Sequence, residues 1–279
     1  MQTTFRRGFL LPIVAGAVLL AGCEPTAAAL PRLTEPGEVL EEALRTTAEL
    51  EFVHIRLEAT FRGDGVAGVG LGETAVTVDG DLDLGTREFH ALAEATMSGV
   101  AQRVELLLVG TDAFVRTEGG LLPGQAGRWQ RQPIPPGEDP RNGIPPNPAI
   151  AVALKAMLEE PTLESELVGI ESCGASQCYH VTVAVAPELT WRIVNGAFFG
   201  GPPEDELGPV DPSIPPITVD LMVQESTRLL VSASTTVAAA GVTVAATVTL
   251  SNHDREFQLL PPPPDQVDDG SGAEGPLGG

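Results

Sequence analysis

Between residues 52 and 132 the chain alternates apolar and polar positions. In FVHIRLEATF, Val53, Ile55, Leu57, Ala59 and Phe61 fall on one side, and His54, Arg56, Glu58 and Thr60 on the other. A period of two is the pattern of a half-buried β-strand. AVTVDGDLDL repeats it, with Val76, Val78, Leu82 and Leu84 opposed to Thr77, Asp79, Asp81 and Asp83. GTREFHALAEA, GVAQRVELLLVG, TDAFVRTEG and WQRQ follow through short turns, which predicts a meander of antiparallel strands. ELVGIES and YHVTVAV open a second strand-rich stretch, and ITVDLMVQES, RLLVSASTTV, GVTVAATVTLS and REFQLL close it.

Three stretches have a longer period. TEPGEVLEEALRTTAEL predicts a helix with Thr34 as cap, Pro36 near the first turn and a stripe of Val39, Leu40, Leu44 and Leu50. NPAIAVALKAMLEE predicts a second, capped by Asn147 with Pro148 at its first position, and PELTWRIVNGAFFG a short apolar third. PIPPGEDPRNGIPP and GPPEDELGPVDPSIPP read as linkers, and PPPPDQVDDGSGAEGPLGG as a disordered tail. The elements sum to a mainly β (α+β) chain. They predict a single strongly curved antiparallel sheet, or half-open β-barrel, of about ten strands, with two or three helices on its concave face. Small-residue strands such as FHALAEATM and VTVAATVTL leave room on that face, which suits a hydrophobic cavity. The candidate lining is Val53, Ile55, Leu57, Ala59 and Phe61 in the first strand, with Val104, Leu106 and Leu108 in the fourth.

The N-terminus changes the picture. Arg6 and Arg7 precede an uncharged run from Gly8 to Gly22, the layout of a secretory signal. The run is shorter than the ~20 residues of a membrane span. It stops at Leu20-Ala21-Gly22-Cys23, which matches a bacterial lipobox: small residues admit the signal peptidase, and the Cys23 thiol takes the lipid. The expected organisation is a signal peptide at 1–22, a lipidated tether at 23–33, a folded domain at 34–263 and the tail at 264–279. The mature protein would sit on the extracytoplasmic face of the cell membrane, or on an outer membrane if one exists, held by its acyl chains.

Charge and cysteines narrow the function. The net charge of the 279 residues is -22, and the signal removes two arginines and no acid, giving -24. Such a surface repels phosphate backbones and excludes nucleic-acid binding. With Cys23 assigned to lipid, Cys173 and Cys178 remain, bracketing Gly-Ala-Ser-Gln. An exported compartment permits a disulfide, and a hairpin brings facing residues within bridging distance.

Catalytic constellations do not emerge. HExxH, GxSxG, P-loop and CxxC patterns are absent from the sequence. His54, His90, His180 and His253 sit singly in or beside strand patterns, and Lys155, the single lysine, has no activating partner nearby in sequence. GVGLGE lies between strands, so it reads as a turn rather than a dinucleotide loop. Asp79, Asp81 and Asp83 project in one row from a strand and read as a solvated face rather than a calcium loop. The expectation is a non-enzyme with no cofactor and no metal.

The order of elements carries a resemblance. A lipobox, a helix, V-x-I-x-L-x-A-T-F-x-G, VDGDLDL, GVAQRVELLLVG, TDAFVRTEGG and then a tryptophan resemble the mycobacterial LppX/LprG lipoproteins, whose relatives share the fold of the LolA and LolB carriers. LVGIESCGASQCYHVTVAV continues the match, although the cysteine pair, the linker at 200–215 and the acidity depart from it. The resemblance implies a half-open antiparallel barrel whose helices line a cavity for a lipid or glycolipid. It also implies a role in binding, and transferring, lipid or acyl chains, with an envelope transporter as a candidate partner. The alternative is a sensory or scaffold lipoprotein that binds a protein partner.

Overall fold

Alternating apolar positions need an apolar layer to face, and here one sheet and one helix supply it. The computed structural model describes residues 30–63, 72–97, 99–119, 127–132, 164–188, 216–239 and 242–268. Among them are helix α1 (Pro36–Ala48) and strands β1 (Phe52–Gly63), β2 (Gly72–Asp83), β3 (Glu88–Met97), β4 (Val100–Val109), β5 (Asp112–Gly119) and β6 (Trp129–Gln132). Then come β7 (Glu164–Cys173), β8 (Ser176–Val185), β9 (Ile217–Gln224), β10 (Leu230–Ala239), β11 (Val242–Ser251) and β12 (Val267–Asp268). They form one sheet in the order β12-β6-β5-β4-β3-β2-β1-β11-β10-β9-β8-β7. Two meanders, β1 to β6 and β7 to β11, are joined where β11 pairs with β1. β7 and β12 stay at opposite edges, so the sheet is not closed.

This is the mainly β architecture expected, with corrections. The described residues hold twelve strands rather than about ten, and the sheet is mixed, because β12 pairs parallel with β6. REFQLL is not a strand; Phe257 instead packs edge-on against Phe52, with ring centroids 5.3 Å apart. Residues 264–268, expected in the tail, form a 3-10 turn (Pro264–Gln266) and β12. The described residues hold α1 in full and, at 187–188, the first two residues of a helix where one was expected; the helix expected near 147–160, Lys155, the rest of 187–200 and the first four residues of GVGLGE lie outside them, while Gly72 and Glu73 open β2.

Thr34 is not the cap of α1. Pro36 occupies the start of the helix and forces the residue before it into extended backbone, so Glu35 becomes the N-cap, at ψ 125°. Its carbonyl accepts from the Val39 amide at 3.1 Å. The helix buries Val39, Leu40, Ala43, Leu44 and Thr47 against the sheet, beside Val53, Leu82, Phe89, Leu108, Tyr179, Val181, Val223, Leu230 and Leu250. Each fully buried aliphatic side chain contributes ~1.5–3 kcal/mol. The Thr47 hydroxyl accepts the Leu230 amide at 3.0 Å, tying the helix end to β10.

Candidate functional site

Strand register decides whether the two predicted lining rows meet. Leu57 pairs with Val78, Val78 with Ala93, and Ala93 with Val104. On its other side Leu57 pairs with Val248, followed by Ala233, Leu221, Val181 and Leu167. One apolar line thus crosses nine strands, from β4 to β7. Two further lines run through β1 to β4: Val53, Leu82, Phe89 and Leu108, and Ile55, Gly80, Ala91 and Leu106. All eight predicted residues therefore share one face, because an even register offset keeps side chains on the same side. The glycine in the middle line is a packing requirement: a Cβ at Gly80 would stand 2.8 Å from the His90 carbonyl oxygen.

The face has two halves. Toward the start of β1, helix α1 covers it: Val53 and Leu108 are buried in the cluster, and Ile55 and Leu106 pack against that cluster. These four belong to a packed core. Toward the other end lie Ala59, paired with Val76 and Ala246, and Phe61, paired with Thr74 and Val244. Neither is part of the cluster that α1 completes; Ala59 is nonetheless buried among its strand neighbours, while Leu57, Phe61 and Val104 remain partly exposed. This second half, lined by Ala, Val and Phe, is the candidate site. It holds apolar surface and can take a ligand by burial alone.

The opposite face is charged. His54 Nδ1 lies 2.8 Å from Asp81 and its Nε2 3.6 Å from Asp79; Asp79 also approaches Arg56. Asp83 accepts the Thr86 amide at 2.8 Å. The three aspartates thus serve ion pairs and a turn. His90 Nε2 lies 2.7 Å from Glu105, which also pairs with Arg116. Burial pushes the Glu105 carboxyl up, but the hydrogen bonds from His90 and Arg116 outweigh it and hold the group below its ordinary value. His180 bridges Asp220 at 3.0 Å and Glu171 at 3.1 Å. Its bond to Asp220, opposed by burial and reinforced by Glu171, holds the imidazole above the ordinary 6.5. His253 moves the other way: burial lowers it.

The cysteines are bonded, Cys173 to Cys178, with Cα atoms 5.8 Å apart. They are not direct partners: Cys173 faces Ser176 and Cys178 faces Glu171, so the bridge runs diagonally. The turn is only Gly174-Ala175, with Gly174 at φ 67°, a conformation that favours glycine.

A second cluster was not foreseen. Leu107, Phe114 and Trp129 are buried on the charged face, with Val109, Leu259 and Val267 packed on them and Arg116 4.8 Å above the Trp129 ring. The chain after β11 crosses that face and ends as β12 at the sheet edge. The signal was present: Leu106 to Val109 is an unbroken apolar run, the mark of a strand buried on both faces.

An open sheet built from two joined antiparallel meanders, with a helix on its apolar face, can be compared with solved structures. LprF from Mycobacterium bovis superposes with a TM-score of 0.51 at 12% identity, over 83% of this chain and 98% of that one. In fold, this chain is similar to LprF. The Mycobacterium tuberculosis lipoprotein LppX aligns over 81% of this chain and 100% of its own, at 14% identity and a TM-score of 0.40, which adds nothing to the LprF comparison. No protein-family model matches the chain, and no curated protein matches it in sequence. The resemblance to the LppX/LprG lipoproteins thus holds for the LprF fold, at an identity where the fold alone is shared. Among the described residues, no helix is long and apolar enough to cross a membrane.

Proposed function

We propose that this chain is an exported lipoprotein, anchored through acyl chains on Cys23, that binds the acyl chains of a lipid or glycolipid on the uncovered half of its apolar face and transfers them. The observation that carries the reading is the group of small and aliphatic residues around Ala59 and Phe61, which among the described residues lies beyond the cluster under α1 and next to the apolar line through Leu57, most of which packs in or against that cluster. The LprF fold and the lipobox support it. Such a site needs no nucleophile or cofactor: removing ~100 Å² of acyl surface from water contributes about 2.5 kcal/mol. Transfer would pass the ligand to an acceptor in the envelope, such as a transporter.

Native mass spectrometry of residues 24–279, purified without detergent, tests the reading. A population carrying the added mass of an acylated lipid is expected. Protein that is uniformly lipid-free, and stays so after incubation with acyl lipids, would count against it.

A further inference from the structure

The start of the folded chain is fastened more firmly than a linker needs. The Leu33 amide donates to the Tyr179 hydroxyl at 3.0 Å, and the Arg228 guanidinium donates to the same oxygen at 2.7 Å. Tyr179 is fully buried, Arg228 is 4% exposed, and the guanidinium stacks 5.1 Å from the ring centroid. Beside them Arg32 pairs with Glu225 at 2.9 Å, in the turn between β9 and β10. Leu33 packs on the core. A buried phenol and a buried cation thus hold the point where the tether enters the fold.

That point lies at one end of the sheet. The start of β1, the β2–β3 turn at Thr86, the β4–β5 turn at Thr111 and the β9–β10 turn share it, as the register requires. Thr96 and Thr236 lie toward the other end, where the apolar face extends beyond α1 among the described residues. A strand of twelve residues separates the ends by ~36 Å.

We propose that the α1 end of the sheet is the surface that faces the anchoring bilayer, and that the part of the apolar face around Ala59 and Phe61, beyond α1, points away from it. The inference rests on lipidation of Cys23. From Cys23 to Arg32 the chain can reach at most about 30 Å. Standing the domain on its far end would require a span of ~36 Å or more, beyond full extension. With a net charge of -22 over its 279 residues, and -24 without the two arginines before Cys23, the chain gains nothing by lying against anionic lipid. The fixed entry point and the short tether therefore set the orientation. A ligand on the uncovered half is then exchanged on the side away from the anchoring membrane.

The test uses the full-length acylated protein in vesicles that carry a head-group quencher. Single cysteines are labelled at Thr86→Cys, Thr111→Cys, Thr96→Cys and Thr236→Cys, all at exposed positions. Over a separation of ~36 Å, quenching of the first two is expected to exceed that of the last two about twofold or more. Inserting about twenty Gly/Ser residues after Ala29 raises the reach to roughly 100 Å and is expected to level the four signals. Anchored protein with equal or reversed quenching on the native tether overturns this orientation alone. Protein that carries no acyl mass and stays off the vesicles overturns the anchoring reading, and the orientation with it.

Discussion

Two tryptophan substitutions separate a packed face from an open one. Leu106 faces Ala91 and Val115 and packs against the cluster under α1. Ala59 faces Val76 and Ala246, outside that cluster. Leu106→Trp forces extra volume into a filled region and costs ~1–3 kcal/mol. For a chain of this size each kcal/mol lowers Tm by about 2–4 °C, so a fall of roughly 2–12 °C is expected. Ala59 is 8% exposed but lies outside that cluster, between the partly exposed Leu57 and Phe61, so Ala59→Trp is expected to cost less than Leu106→Trp, about 1 kcal/mol or less. Its indole can bury ~150–250 Å², and displacing an acyl chain from ~100 Å² of that would cost the ligand about 2.5 kcal/mol, roughly 60-fold in Kd. Thermal unfolding and titration with a fluorescent acyl lipid, run on the same two proteins, give both numbers. Marked destabilisation by Ala59→Trp with unchanged lipid uptake would refute the division of the face into covered and open halves.

Other consequences follow from the opposite face and the termini of the strands. The double substitution Cys173→Ser, Cys178→Ser opens a short loop and is expected to cost about 2 kcal/mol by chain entropy; a loss of cooperative unfolding would show that the bridge does more. Because the folded value of His180 lies above 6.5, its contribution is fully present below pH 6.5 and is lost as pH rises through the folded value. His253, shifted down, acts with the opposite sign and loses stability as pH falls below 6.5. The difference in stability between wild type and His180→Gln is therefore expected to be larger at pH 6 than at pH 9 in denaturant titrations, and a flat difference would contradict the bridge to Asp220 and Glu171. Ending the chain after Arg255 removes Phe257, Leu259 and Val267 from the charged face and uncovers Leu107, Phe114 and Trp129. At ~1 kcal/mol for each half-buried side chain this costs about 3 kcal/mol and increases binding of an apolar dye; unchanged melting would mean the segment is dispensable.

Much of this fold was legible because a period of two leaves a strand little choice of face. The ten long strands follow from alternation, and the shared face of Val53 to Phe61 and Val104 to Leu108 follows from parity once hairpins are assumed. Three things were not legible. Pairing of β11 with β1 joins residues some 190 positions apart, and no local pattern encodes so distant a partner. β12 is two residues long and gains its place through Val267 on Trp129 rather than through any periodicity. The length of the cavity row was also overread: Val53 and Leu108 alternate just as Leu57 and Val104 do, but α1 covers only the first pair. Helical spacing predicts that a helix buries a stripe without saying over which rows it lies.

The central claim is that acyl chains lie on the uncovered half of the apolar face, and photo-crosslinking reads that location directly. A lipid carrying a photoreactive group in its acyl chain would be bound, irradiated and mapped by peptide mass spectrometry. The account predicts labels at Leu57, Ala59, Phe61, Val76 and Val244, and none on the charged face at Arg56, Glu58 or Glu94. Labels confined to the charged face, or spread equally over both faces, would contradict it.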